Sequence, residues 1–170
     1  MTRPLNLRLD PIEEARRQWV VHGWAEAANG MAAVTSIMRA QQIMQARVDE
    51  VLRPYDLTFA RYELLMLLHF SRRGSLPITK ASARLQVHPT SVTNAVDRLE
   101  AAGLVRRTPH PTDGRGILVE LTSQGRKTAL AATRVLNREV FEQPGLPPRR
   151  ITALVGALTA LRRAAGDFLR

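Results

Sequence analysis

Cysteine is absent from the 170 residues of this sequence, and its absence excludes several kinds of chemistry. Without thiols the chain forms no disulfide, no zinc–thiolate site and no thiol redox switch. Long apolar runs are absent too, since none approaches the roughly 18 residues of a membrane-spanning helix. The opening stretch, MTRPLNLRLDPIEEARR, lacks the apolar core of a secretory leader. We therefore expect a cytoplasmic protein without a membrane partner.

Recognisable catalytic and metal-binding motifs are also missing from the sequence. It contains no GxGxxG or GxxxxGK phosphate loop, and its four histidines lack metal-site spacing: His22, His69, His88 and His110. Neighbouring carboxylates such as Glu13 and Glu14 diverge by about 100° on a helix, which makes them a poor acid–base couple. We expect no enzymatic activity, no metal and no cofactor.

Positive charge is abundant instead. The formal net charge is +10 and the isoelectric point is near 11.5. Such an excess favours polyanionic partners, because neutralising phosphates releases their condensed counterions. The alternative is a generally basic protein whose charges are solvated everywhere. The length suits one compact domain or two small lobes with a sizeable core.

Helical patterns dominate the two ends of the chain. Asp10 and Pro11 predict a helix start, and this first helix extends to about Gly23. A break is predicted at residues 29–30, followed by a long helix up to Pro54. Apolar residues of the long helix occupy more than one stripe, which favours contacts with its own fold and with a second subunit.

Three further helices are predicted from the same periodicity. One covers about 58–71, and another begins after the cap Thr122 and continues to about Phe141. The last has a broad apolar face, typical of a helix that packs on a partner: Ile151, Leu154, Val155, Leu158, Leu161 and Phe168.

The most informative segment is Leu76–Thr122, which combines two short helices, a glycine break and a basic β-hairpin. Thr79 is positioned to cap the first helix, Pro89 to begin the second and Gly103 to end it. Alternating apolar residues at 117–121 predict the closing strand. This order predicts a winged helix-turn-helix, a mainly α fold with a small β-hairpin wing, which places a helix in the DNA major groove.

The second helix of this segment, residues 89–102, has one apolar and one polar face. The apolar face carries Val92, Val96 and Leu99. The opposite face carries Thr90, Thr93, Asn94 and Asp97, flanked by Ser91 and Arg98. Short hydroxyl and amide side chains let a helix approach base edges, and asparagine pairs bidentately with adenine. The alternative is an ordinary amphipathic surface helix.

The hairpin tip carries a second candidate contact. Asp113 and Gly114 form a turn signal, and glycines on both sides of Arg115 let the backbone bend while the guanidinium projects outward. An arginine presented in this way suits a narrow, electronegative minor groove. The alternative is a hairpin with a solvated charge at its tip.

Two stretches resemble the MarR family of bacterial transcriptional regulators: HPTSVTNAVDRLEAAGLVRR and DGRGILVELTSQGR. The resemblance implies a homodimer whose recognition helices enter successive major grooves of a pseudo-palindromic, double-stranded DNA operator. It assigns Arg115 to the flanking minor groove and gives Asp113 the task of holding that arginine. It implies an N-terminal extension with dimerisation helices over 1–56, a winged helix-turn-helix DNA-binding domain over 57–121 and C-terminal dimerisation helices over 122–170.

The candidate DNA contacts combine the helix, its approach and the wing: Thr79, Lys80, His88, Pro89, Thr90, Ser91, Thr93, Asn94, Arg98, Arg107 and Arg115. His88 departs from the family pattern, because a stronger cap often precedes the helix-starting proline. Gln86 also departs from it, because glycine is frequent in this turn. We interpret both as local variation. Arg72, Arg73 and Arg84 are either further phosphate contacts or solvated charges.

Many MarR regulators bind a small phenolic or anionic ligand, and the sequence offers candidates for such a pocket: Trp19, His22, Tyr62, Glu63 and His69. A helix with a tryptophan before the long helix is similar to the urate-responsive subgroup. The ligand-coupling arginine of that subgroup corresponds to Ala95 here, which argues against urate. The alternative for each aromatic residue is an ordinary core position.

We conclude from the sequence that the protein is a sequence-specific DNA-binding transcriptional regulator. We expect a repressor that a small-molecule effector releases from DNA. The alternative is an architectural DNA-binding protein with little sequence preference. The affinity ratio between one operator and random DNA discriminates between the two.

Overall fold

The computed structural model describes residues 9–110 and 116–168, and the chain divides into two compact units, Met1–Glu50 and Val51–Arg170. The first unit is helical. Its helix α1 covers Pro11–Val21, and Asp10 caps it because Asp10 Oδ1 accepts a hydrogen bond from the Ile12 N–H at 2.9 Å. The start predicted from the Asp-Pro pair is therefore confirmed.

The long helix α2 covers Ala25–Leu52, 28 residues, so that its last two residues belong to the second unit. The break predicted at residues 29–30 is wrong, because α2 begins before Asn29 and passes through Gly30 without interruption. Asparagine and glycine each cost a helix interior up to about 1 kcal/mol relative to alanine. A helix of this length has enough other residues with favourable propensity to absorb that cost.

The second unit contains most of the fold. After a single 3-10 turn at Arg53–Tyr55, its elements follow in this order: α3 (Phe59–Phe70), β1 (Ser75–Pro77), α4 (Ile78–Leu85), α5 (Pro89–Ala101), β2 (Val105–Pro109), β3 (Ile117–Leu121), α6 (Ser123–Leu136) and α7 (Pro148–Ala164). A π-helical turn, Asn137–Phe141, continues α6, so the helical run ends where the sequence predicted.

Two threonine caps explain where helices of this unit begin. Thr58 Oγ1 accepts from the Arg61 N–H at 3.4 Å, and Thr122 Oγ1 accepts from the Gly125 N–H at 2.9 Å. The cap predicted at Thr79 is wrong. Thr79 lies inside α4, whose cap position is Pro77 and has no side-chain hydrogen bond. Because Pro77 also ends β1, the strand determines where α4 begins.

The sheet has three antiparallel strands in the order β1-β3-β2. The hairpin of β2 and β3 was predicted, and Arg106 faces Glu120 across it. The third strand, β1, was not predicted because three residues are too few to show alternation. Pairing of Leu76 with Val119 joins β1 to the hairpin, so β3 is the central strand.

The core of the second unit lies between α3, α5, α6 and the sheet. Its fully buried large side chains are Leu52, Leu64, Leu65, Leu68, Leu99, Leu136, Val92, Val96, Val105 and Val119. Helix α6 approaches the start of the hairpin so closely that a Cβ on Gly125 would lie 1.9 Å from the Leu104 carbonyl oxygen. The packing therefore fixes α5 and the hairpin on one rigid support.

Helices α2 and α7 each carry several exposed large apolar side chains. On α2 they are Val34, Ile37, Met38 and Ile43, and on α7 they are Leu154, Val155 and Leu161. Within residues 9–110 and 116–168 no helix is both long and apolar enough to cross a bilayer. In the same residues no group of three or more metal-ligating side chains comes together.

Candidate nucleic-acid interface

Helix α5 has the two faces that the sequence predicted. Val92, Val96 and Leu99 are buried beneath it. On the outer side Thr90, Ser91, Asn94, Asp97 and Arg98 are exposed, and Thr93 is half-buried. The helix therefore presents a continuous polar surface with an amide at its centre, the kind of surface that reads base edges.

The start of α5 is held by His88. Its Nδ1 accepts a hydrogen bond from the Thr90 N–H at 3.3 Å and lies 3.1 Å from Thr90 Oγ1. Pro89 occupies the first helical position, where its missing N–H costs nothing. The Thr93 hydroxyl donates to the Pro89 carbonyl at 3.1 Å, so its proton is used within the helix. In the described part of the chain, the side chains of Ser91 and Asn94 form no hydrogen bond with the helix backbone. They are therefore better candidates for base contacts than Thr93.

The turn between α4 and α5 sets the angle of α5. Gln86 has φ 55° and ψ 39°, the left-handed conformation that the frequent glycine would adopt with least strain. Ser82 Oγ donates to the Val87 carbonyl at 2.7 Å and closes the turn from inside. The other predicted contacts on α4, Thr79 and Lys80, are exposed on its first turn.

The first strand of the wing is joined to both of its neighbours by ion pairs. Arg106 lies 2.7 Å from Glu120 on β3, and this contact raises the pKa of the arginine and lowers that of the carboxyl. The guanidinium of Arg107 contacts Asp97 and Glu100 of α5, and the Arg107 N–H donates to Glu100 Oε1 at 2.8 Å. Hydrogen bonding to Asp97 raises the pKa of Arg107.

This ion-pair network alters the interpretation of Arg107. The sequence presented it as a phosphate contact, whereas its side chain is engaged by two carboxylates of the recognition helix. We therefore propose that Arg107 holds the wing strand against α5. The two wing-tip residues, Asp113 and Arg115, lie outside the described residues.

The candidate effector residues fall into both units. In the first, Trp19 packs edge-to-face on Trp24 with ring centroids 5.4 Å apart, and His22 Nδ1 donates to the Gln18 carbonyl at 2.8 Å. In the second, Tyr62 is buried, and its hydroxyl lies 3.0 Å from Thr133 Oγ1. Tyr62 is thus a core residue.

The other two candidates of the second unit lie on α3. Glu63 is exposed, yet partial desolvation raises the pKa of its carboxyl. His69 Nδ1 accepts from Arg126 Nη1 at 2.8 Å, which places the proton of the neutral ring on Nε2. These contacts tie His69 to α6.

A cleft that the sequence did not reveal opens between the start of α3 and α5. Its volume is about 740 Å³, and its lining includes Thr58, Arg61, Ser91, Asn94, Ala95 and Arg98. Two arginines outnumber the one carboxylate of the lining, Asp56, so the charged side chains of the cleft favour an anionic group. Its two walls are separated by 30 or more positions in the sequence, so no local pattern indicates the cleft.

Taken together, the fold and this surface define a winged helix-turn-helix protein. A family model described as MarR family matches residues 55–116. The structure is similar to Sco5413, a MarR family transcriptional regulator from Streptomyces coelicolor, with 50% identity, 84% of this chain and 99% of that chain covered, and a TM-score of 0.75. The chain belongs to the MarR family of transcriptional regulators, which are not enzymes.

Two further relatives show how far the similarity extends. Sco3205 from Streptomyces coelicolor, solved in complex with DNA, shares 25% identity over 81% of this chain and 88% of that chain, with a TM-score of 0.70. The HTH-type regulator YhbI of Bacillus subtilis is 36% identical over 78 residues, 46% of this chain and 49% of its own. The chain spans about half the length of the first curated relatives it matches.

Proposed function

We propose that the protein binds a pseudo-palindromic DNA operator as a homodimer and represses transcription. The polar outer face of α5, centred on Asn94, carries this proposal because the opposite face is committed to the core. The net charge of +10 supplies attraction to phosphate. Sco3205, a relative of the same fold, was solved with DNA.

Exposed apolar side chains on α2 and α7 support the dimer. Seven large ones are exposed on these helices, and burying them against a second copy removes them from water. In a homodimer the two α5 helices would sit about 34 to 36 Å apart, one turn of B-DNA. A dimer bound across a promoter would exclude polymerase, and repression is therefore the direction of regulation that we propose.

Selection of bound sequences from a random DNA pool tests this proposal most directly. We expect an inverted repeat with half-sites about 10 base pairs apart, and a dimer by sedimentation at the concentrations used. A reporter fused to the selected operator tests the direction of regulation. Enrichment of no sequence, or an affinity for the best site within about tenfold of random DNA, favours the architectural alternative.

The cleft between α3 and α5 supports a releasing effector of anionic or phenolic character. It shares Ser91, Asn94 and Arg98 with the proposed DNA surface, so a ligand seated there competes with DNA. Salicylate is a suitable probe, because its carboxylate matches Arg61 and Arg98. We expect it to weaken operator binding in the wild type and to lose this effect in Arg61→Ala. Equal responses of both proteins would contradict the assignment of this cleft.

A further inference from the structure

The turn of the helix-turn-helix is joined to the end of the chain through Gln86. Its Nε2 donates to the Asp167 carbonyl oxygen at 2.8 Å, and its Oε1 lies 3.4 Å from Arg162 Nη2. These contacts bridge more than 70 positions of sequence within the second unit. They connect the residues that follow α7 with the residue that sets the angle between α4 and α5.

The end of α7 is itself folded into a compact turn. Arg162 Nε donates to Asp167 Oδ2 at 2.6 Å, and Gly166 has φ +74°, which reverses the backbone after the helix. The Phe168 ring lies under two guanidinium groups, with centroid distances of 5.3 Å to Arg162 and 5.7 Å to Arg163. Asp167, whose carbonyl accepts the Gln86 hydrogen bond, is therefore held by its own ion pair with Arg162 and by the packing of the next residue, Phe168.

Gln86 occupies a backbone conformation in which a side chain is costly. At φ 55° an L-residue is strained, whereas glycine is not. Glutamine lacks the conformational freedom of glycine at this position, but its side chain is long enough to reach the end of α7. The position is thus better explained by its contacts than by the turn alone.

We propose that Gln86 determines which half-site spacing the protein accepts, by coupling α7 to the recognition helix. The inference rests on the proposed function, in which the exposed apolar residues of α7 lie against a second copy. Under that arrangement α7 belongs to the dimer scaffold, and the Gln86 contacts limit how far each α5 can move relative to it. A restrained α5 discriminates between operators whose half-sites are separated by different distances.

The test compares the wild type with Gln86→Gly on operators whose centre-to-centre spacing is changed by one or two base pairs. Gln86→Gly preserves the left-handed turn and removes the contacts, so it is expected to fold at least as well as the wild type. Arg162→Ala weakens the same coupling from the other side, because it removes the contact with Gln86 Oε1 and the ion pair that holds Asp167. Arg149→Ala deletes an equal charge from the exposed start of α7 and serves as its control.

The expected result is a flatter spacing profile for both coupling variants. The loss of one net hydrogen bond predicts that the wild-type preference for the best spacing falls by roughly three- to tenfold. Arg149→Ala should keep the wild-type profile. Unchanged profiles in Gln86→Gly and Arg162→Ala would overturn the inference while leaving the proposed function intact. A wild type that selects no sequence at all would overturn both.

Discussion

Arg107 on β2 and Asp97 on α5 form an ion pair that joins the wing strand to the recognition helix, ten positions apart in the chain. Glu100, almost one helical turn further along α5, binds the same guanidinium and also accepts the Arg107 N–H. The pair also neutralises a carboxylate on the surface proposed to meet DNA. We therefore expect Arg107 to influence DNA binding through its contacts with α5.

The Arg107→Ala variant should distinguish an arginine that holds β2 against α5 from an arginine that contacts phosphate directly. Because the ion pairs are only partly buried, we expect the free energy of unfolding to fall by about 1 kcal/mol. Operator affinity should fall as well, since Asp97 becomes an unpaired negative charge facing phosphate. The slope of log K against log salt should stay at its wild-type value.

The control is the double variant Arg107→Ala/Asp97→Asn, in which the unpaired carboxylate is removed. It should recover part of the lost affinity, measured by fluorescence anisotropy at several salt concentrations. A salt slope smaller by about 1 in Arg107→Ala would identify a phosphate contact instead.

Asn94 lies at the centre of the exposed face of α5, and Asn94→Ala should affect sequence preference more than overall attraction. We expect a loss of about 1 to 3 kcal/mol of discrimination at one base position in each half-site. Competition binding with operators substituted one position at a time measures this loss. Lys80→Ala is the matched control, because removing a phosphate contact weakens all sequences alike and lowers the salt slope by about 1. If Asn94→Ala kept the wild-type sequence preference, Asn94 would not be a base-reading residue.

Features encoded by neighbouring residues were predictable from the sequence. Asp10, Thr58 and Thr122 start their helices through side-chain hydrogen bonds that span two or three positions. The buried face of α5 follows from periodicity within one helix. In each case the physical cause acts within a few residues, so the sequence pattern displays it.

Features that depend on distant residues were not predictable. The start of α4 follows from the pairing of Pro77 with Leu118, about 40 positions away, which makes Thr79 a helical residue rather than a cap. The partners of Arg107 and the walls of the cleft are likewise set by tertiary packing. Gly30 shows the opposite limit, because a locally unfavourable residue is outweighed by a long helix around it.

Two glycine-to-alanine substitutions should have opposite effects on stability. At Gly125 a Cβ would meet the Leu104 backbone at 1.9 Å, so Gly125→Ala must displace α6 from the hairpin. We expect the free energy of unfolding to fall by about 1 to 3 kcal/mol or more. At Gly30 an added Cβ would meet no atom within 4 Å beyond the neighbouring residues and backbone of its own helix, and Gly30→Ala should raise the free energy of unfolding by about 0.5 to 1 kcal/mol. Urea unfolding followed by circular dichroism measures both, and similar changes in the two variants would contradict this account.

The pKa of Glu14 gives a pH-dependent prediction for α1. Hydrogen bonds from Arg17, and secondarily from Gln18, lower this pKa from its ordinary value of 4.5 to about 2. A carboxyl with a lowered pKa stabilises the folded helix above its unfolded pKa. This stabilisation should therefore be complete above about pH 4.5 and disappear as the pH falls toward 2.

Titration of the Glu14 side-chain carboxyl by ¹³C NMR measures this pKa directly. Arg17→Gln removes the principal donor and should return the value toward 4.5, while Arg16→Gln, whose partner is Glu13, should leave it low. Both side chains are exposed, so added salt should weaken the interaction and raise the wild-type value. A wild-type Glu14 that titrates near 4.5 at low salt would show that the Arg17 contact does not persist in solution.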